Sequence, residues 1–433
     1  MKKRFIVLIV GLLSYFVVSA QFSVTGVDVV EYPQSDIAAV FVVDAFTDGV
    51  LSYTLPENKD VTWSYYDESG NKTIIKSEIQ VNKTSIPLQN NSSLGYELDI
   101  QGELQYVWVF HYPDFEVQLD DIQVDTNTED RCQFIQAQLF ITANSMKYQG
   151  YNQQTMPYEV VRTFELAYDS AYFSQTTYEV ESVVRKIEQT SYVQLTSPLM
   201  NTLYTLSGDQ FARAFNRTKE ISSAQVEAFA VQINPTASIQ TRDGLNEKER
   251  DLSSSQTLRG SAPLEVEVLS YANVPAARYF DWCLSREVDF STCELQYIDK
   301  DFRYSFTQQI PYYVRLNVYN ADATCKADTS YVIDIVDSFL EIPNVFTPNG
   351  DGRNDEFRVA YKSLIKFSGK VYDSWGRLVF SWTDPTKGWD GTINGLKAPE
   401  GAYFYHIEAT GVDRDEKGNL IEYKKTGDIN LLR

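Results

Sequence analysis

Five oxygen-bearing side chains crowd one stretch near the C-terminus: Asn349, Asp351, Asn354, Asp355 and Glu356, with Gly350 and Gly352 among them. Such oxygens suit a hard cation, and Asn349, Asp351 and Asp355 are the candidate calcium ligands. The spacing is not that of an EF-hand, and turn formation through Asx hydrogen bonds and glycine freedom accounts for the same residues. Catalytic groups are sparse. The chain has two histidines, His111 and His406, each among aromatics in an alternating stretch with no ligand or nucleophile at a useful spacing. No Gly-x-Ser-x-Gly, Gly-rich phosphate loop or His-Glu-x-x-His motif occurs. The acid pair Asp120-Asp121 supports glycoside hydrolysis only if folding sets a partner across a cleft; a solvated turn is the simpler reading. The expectation is a protein that is not an enzyme.

Four cysteines remain after the N-terminal stretch: Cys132, Cys283, Cys293 and Cys325. They allow three pairings, and their wide, histidine-poor spacing does not make a zinc site. Cys293 with Cys325 is the expected disulfide, a loop cysteine stapling the edge of one sandwich. That chemistry needs an oxidising compartment, and the start of the chain supplies the route. Lys2, Lys3 and Arg4 precede an apolar stretch from Phe5 to Val18, and Val18-Ser19-Ala20 is a small-residue cleavage site, so residues 1–20 read as a secretory signal peptide. Beyond it lie 35 basic and 59 acidic residues, a formal charge of −24 against −21 for the whole chain. So acidic a surface repels phosphate backbones, and nucleic acid is excluded as a partner.

The elements that must carry these groups are strands. From Gln21, short alternating runs recur, among them Ala39 to Val43, Val61 to Tyr65 and Gln105 to Phe110, with a turn at 67–72. Similar runs follow at Gln138 to Thr142, Val160 to Leu166, Phe173 to Gln194 and Glu227 to Val231. Residues 246–260 are charged and serine-rich with no apolar period, and read as a loop. After it, Tyr312, Val314, Leu316 and Val318 share one strand face, with Trp282 expected beneath them. The predicted class is all-β: an immunoglobulin-like β-sandwich at 21–125, a second at 126–232, a third unit at 233–337 and a small β-sandwich at 338–433. Trp63 reads as core. If Trp63 or Trp108 instead faced solvent, a glycan would be the ligand and the chain a carbohydrate-binding adhesion protein.

The last unit is the most specific part of the chain. It opens with Ile342-Pro343-Asn344-Val345-Phe346-Thr347-Pro348-Asn349-Gly350-Asp351-Gly352-Arg353-Asn354-Asp355, continues through Trp375-Gly376, Trp389-Asp390-Gly391, Asn394-Gly395 and Gly401-Ala402-Tyr403, and closes from Gly427. That order resembles the gliding-motility-associated C-terminal domain, the type B sorting signal of the type IX secretion system of Bacteroidetes. In that family Asn-Arg usually precedes Trp-Gly, where this chain has Asp373-Ser374. The resemblance implies export across both membranes, a type IX translocon as partner, an outer-membrane β-barrel partner at the surface, and cell-surface display in a structural or adhesive role. It implies that Phe346, Pro348, Asn349, Asp351, Gly352, Asn354, Asp355, Trp375, Gly376, Trp389, Asp390, Gly391, Gly401, Tyr403 and Gly427 form the sorting motif. The unit at 233–337 resembles a PKD domain, although Cys283 and Leu284-Ser285-Arg286 replace the acidic residue and Gly-rich loop usual after the tryptophan. Its external ligand would be a glycan or another surface protein.

Overall fold

A computed structural model describes residues 21–33, 36–66, 71–88, 93–149, 157–239, 254 and 256–433. The signal peptide read at 1–20, most of the turn at 67–72 and most of the loop at 246–260 lie outside the described residues. Thr257–Gly260, at the end of that loop, is a strand. Leu258 is buried there, and the segment pairs in parallel with Lys326–Ile335, so packing overrides a locally polar composition.

Two long strands, Val50–Tyr66 and Lys72–Pro87, organise the first unit. The start of the first pairs with Gln21–Thr25 on one side and with the end of Lys72–Pro87 on the other. Its second half pairs with Leu94–Ile100. Register shifts between Thr54 and Val61 mark bulges where both strands bend, so one pair of strands serves both halves of a folded sheet. Between the halves lie Phe22, Leu51, Trp63, Tyr96 and Val107, and the Trp63 indole, fully buried as expected, donates to Thr84 Oγ1 at 2.8 Å.

The next two units each face one sheet with another. In the second, Tyr192–Thr196, Phe134–Thr142 and Gln118–Asp125 oppose a sheet ordered Thr177–Glu188, Thr163–Ser174, Thr205–Ser207, Glu220–Ser222. Phe164, Leu166, Ile135 and Leu206 fill the space between. The strand expected at 227–231 is absent: Phe229 and Ala230 are buried, but the segment crosses towards the third unit and bonds to loops through Ala228 N to Asn201 Oδ1 and Asn273 Nδ2 to Ala230 O. In the third, Trp282 is fully buried in one cluster with Tyr312, Val314, Leu316 and Val318, as the alternation predicts. The fourth unit is a five-stranded sheet ordered Val345–Phe346, Leu420–Leu431, Gly401–Arg414, Leu364–Tyr372, Leu378–Trp382, with two small two-stranded sheets beside it.

All three joints between units are buried. At the first, Tyr32, Val42, Phe110 and Tyr112 pack with Met146, Tyr148, Phe211 and Phe215. Within this packing Arg162 Nη1 lies 2.8 Å from Asp209 Oδ2, with side chains 2% and 0% exposed. Asp209 also accepts from Tyr112 Oη and caps the short Gln210–Ala214 helix through Ala212 N. Burial, and then the Asp209 carboxylate, hold the Tyr112 phenol well above its ordinary range. The third joint places Val412 of the last unit in the core of the third, while Ser363 Oγ donates to Val336 O and accepts from Ala262 N.

The second joint corrects the expected disulfide. Cys293 does not pair with Cys325: the bonds are Cys132–Cys325 and Cys283–Cys293. Cys325 follows the exposed turn between Tyr312–Tyr319 and Lys326–Ile335, and its side chain, 1% exposed, packs in the core of the second unit. Arg131, beside Cys132, bonds Asp322 and lies over the Phe229 ring. Cys283 lies on Tyr279–Ser285, whose hairpin partner Leu295–Tyr297 starts just after Cys293.

Candidate functional site

Three aromatic residues of the expected sorting motif, Phe346, Trp389 and Tyr403, share one core. Phe346, Phe357 and Trp389 are buried, with ring centroids of Phe346 and Trp389 5.4 Å apart and an edge contact of Trp389 on Tyr403 at 4.8 Å. Phe357 and Trp389 exchange backbone hydrogen bonds, and the indole donates to Thr392 O at 2.8 Å. Asp390 Oδ1 accepts from both Thr392 N and Thr392 Oγ1, which sets the turn at Gly391. Gly391 has φ +74°, and a Cβ there would meet Pro348 Cγ at 2.9 Å. Tyr403 Oη donates to Pro399 O, just before the chain turns at Gly401. Gly427 lies under the Tyr405 ring, where a Cβ would come 2.6 Å from the hydroxyl.

The acidic loop folds upon itself. Asp355 Oδ1 accepts from Gly350 N and its Oδ2 from Gly352 N, both at 2.7 Å. Asn349 Oδ1 accepts from Asp351 N, Asp351 Oδ1 accepts from Arg353 N, and Asn354 O accepts from Thr347 N. These carboxylates are turned towards backbone N–H groups, the arrangement of Asx turns. Among the described residues no group of three or more His, Cys, Asp or Glu side chains is placed to hold a metal ion.

Trp375 departs from the other aromatic residues of the motif: its side chain is 84% exposed, whereas Phe346, Trp389 and Tyr403 are buried, as are Trp63 and Trp282 elsewhere. It stands on a fixed turn. Asp373 Oδ1 accepts from Trp375 N and Arg377 N, Asp373 Oδ2 accepts from Arg377 Nε, and Gly376 N donates to Asp373 O. Desolvation works against the Asp373 anion, but the bonds from Arg377 and Trp375 outweigh it and hold the carboxyl below the usual carboxylate range. Nothing in residue type distinguishes Trp375 from the buried tryptophans; its place between Asp373 and Gly376 in a turn is the available signal.

The other chemical candidates stay apart. His111 stacks on Phe46 in the first unit, 5.1 Å between rings, and His406 lies on an outer strand face of the fourth. Asp120 and Asp121 are in the strand Gln118–Asp125 at a bulge, not in a turn, and bond Gln118, Thr142 and Gln123. Trp108 is half-buried and donates to Gln149 O. A cleft of about 860 Å³ runs between the second and third units beside Asp121, Arg131, Glu227 and Asp322.

Two stretches of the chain match known families. Residues 340–422 match the model of the CHU_C Type IX secretion signal domain, and residues 123–223 match that of a Fibronectin type III domain. No curated protein matches the chain. Similar solved structures include Sidekick-1 immunoglobulin domains 1-5, 9% identical over 95% of this chain and 77% of that one with a TM-score of 0.27. The three N-terminal domains of the bacteriophage RB49 Highly Immunogenic Outer Capsid protein (Hoc) are 10% identical over 73% and 98%, with a TM-score of 0.22. Scores this low carry no argument about function. The C-terminal unit is thus a type IX secretion signal domain, which implies export and contact with the secretion machinery.

Proposed function

We propose that this chain is an exported, cell-surface protein without catalytic activity, in which residues 338–433 address the type IX translocon and the three preceding units do adhesive or structural work outside the cell. The observation that carries the reading is the secretion signal match over residues 340–422, where Phe346, Trp389 and Tyr403 share a buried core. The two preceding joints support it further: buried packing at one, packing and a disulfide at the other, suit a chain displayed as one connected body. An outer-membrane β-barrel is the natural partner for such a signal, and the acidic surface disfavours nucleic acid. The glycan-adhesion reading loses its first platform, since Trp63 is fully buried, and Trp108 is half-buried with its indole engaged.

Ending the chain at Asp337 tests the proposal. In cells with an active type IX system, the shortened protein is expected to accumulate in the periplasm, while the full chain is accessible to antibody on intact cells. Equal surface arrival of both forms would remove the sorting role.

A further inference from the structure

Among the described residues, the fourth unit meets the third at one of its two ends. Its inner end is held by Ser363 and Val412 against the third unit. From Leu364 the strand runs away to Tyr372, about 26 Å at 3.3 Å per residue. At that far end the turn at Asp373 holds Trp375 out into solvent. Directly behind it, Leu378, Tyr372 and Phe404 are register partners across three strands and so form one row on one face. Leu378 is 54% and Phe404 49% exposed.

Among the described residues no strand pairs with the outer edge beside this row. Leu378–Trp382 is the last strand of the sheet, and its sequence Leu-Val-Phe-Ser-Trp carries no charge. Natural edge strands are commonly blunted by charged side chains, so an uncharged apolar one is suited to accept a partner strand. Net charge separates this unit from the rest. Residues 338–433 hold 13 basic and 14 acidic side chains, whereas residues 21–337 hold 22 and 45. An acidic partner is therefore repelled by the displayed units and far less by the nearly neutral signal domain.

We propose that the far hairpin of the signal domain, residues 370–382, is the element the secretion machinery reads: Trp375 enters an apolar pocket of an outer-membrane β-rich component, and the free edge of Leu378–Trp382 pairs with one of its strands. The row Leu378, Tyr372, Phe404 packs against the same partner. This deepens the export reading and rests on it. The occupant follows from the secretion signal match, and the charge balance makes this end the one where an acidic surface of that machinery meets least repulsion.

The test uses the full chain in a type IX-competent cell, with surface antibody labelling as readout. Trp375→Ala and, separately, Ser381→Lys, which places a charge on the edge, are each expected to lower surface signal at least tenfold with periplasmic accumulation. Trp375→Phe should retain a substantial part of it. Ile298→Ser, equally exposed in the third unit, should leave export unchanged. The purified Trp375→Ala protein should keep the parent melting temperature. If it does not, a photocrosslinker at position 375 decides: an adduct with an outer-membrane component of the secretion machinery supports the inference, and its absence overturns it. Parent-level export of folded Trp375→Ala and Ser381→Lys, in cells where ending the chain at Asp337 blocks export, overturns this inference alone. Export of the shortened chain overturns the reading beneath it. Altered self-association or glycan binding without altered export also counts against it.

Discussion

Replacing Arg162 with Met should loosen the joint between the first two units and leave the others intact. Arg162 and Asp209 are 2% and 0% exposed, and removing one partner of such a pair costs about 3–5 kcal/mol because the remaining charge stays buried. Two features move the expectation towards the lower figure and one away from it. Asp209 keeps bonds from Tyr112 Oη and Ala212 N, which still favour its anion. Against that, Phe115 O and Asn144 O both lose the guanidinium as donor. A value near 3 kcal/mol follows, or roughly a 100-fold change in local opening at about 1.4 kcal/mol per tenfold. Hydrogen exchange read by peptide is the suitable assay, because a chain of several units need not unfold in one step. Peptides spanning 107–115 and 206–215 should exchange roughly 100-fold faster, while those at 264–335 keep the parent rate. Adding Asp209→Ser, which retains a capping oxygen and removes the charge, should recover most of the loss. Less than about a fivefold change at the joint, or an equal change in the third unit, refutes the reasoning.

Two further outcomes concern stability. Glu97 has a side chain 1% exposed, and burial raises its carboxyl, but Lys72, the Tyr66 hydroxyl and Tyr106 outweigh burial and hold it below its ordinary range. The folded state therefore binds this proton more weakly than the unfolded chain, so the ion stabilises fully above about pH 4.3 and less as pH falls through the folded value. Melting temperature measured from pH 6 to pH 3 should fall more steeply for the parent than for Glu97→Gln; parallel curves would contradict this. Gly391→Ala puts a Cβ at φ +74° and against Pro348, and should destabilise the signal domain by about 2 kcal/mol, seen as faster exchange in peptides 346–350 and 389–398; unchanged exchange would contradict it.

Much of the architecture is written in two-residue alternation. The buried face of Tyr312, Val314, Leu316 and Val318 follows from it, and Trp282 is buried with them, though beside Leu316 in the same sheet and not beneath the strand. Where the reading failed, the deciding contact was between units. Alternation within the third unit does not reveal that Cys325 packs in the core of its neighbour, so a pairing with Cys293 inside one sandwich is the natural reading and Cys132 has no place in it. The same applies to Phe229, buried in a crossing segment that imitates a strand, and to the Gln210–Ala214 helix, too short for a period and held by its Asp209 cap. Within the signal domain, composition alone does not separate Trp375 in solvent from Trp389 in the core, although Asx and glycine residues flank both.

The bond between Cys132 and Cys325 also fixes what happens when the protein is pulled by its ends. Its sulfurs join positions 193 residues apart, so tension travels through the bridge and the intervening stretch, most of the second and third units, carries none of it. Roughly 650 Å of extensible chain is thereby withheld, at about 3.4 Å per residue. A surface protein anchored at one end and gripped at the other would lengthen through its first and last units and the strands flanking the bridge, and between Cys132 and Cys325 would behave as an inextensible link.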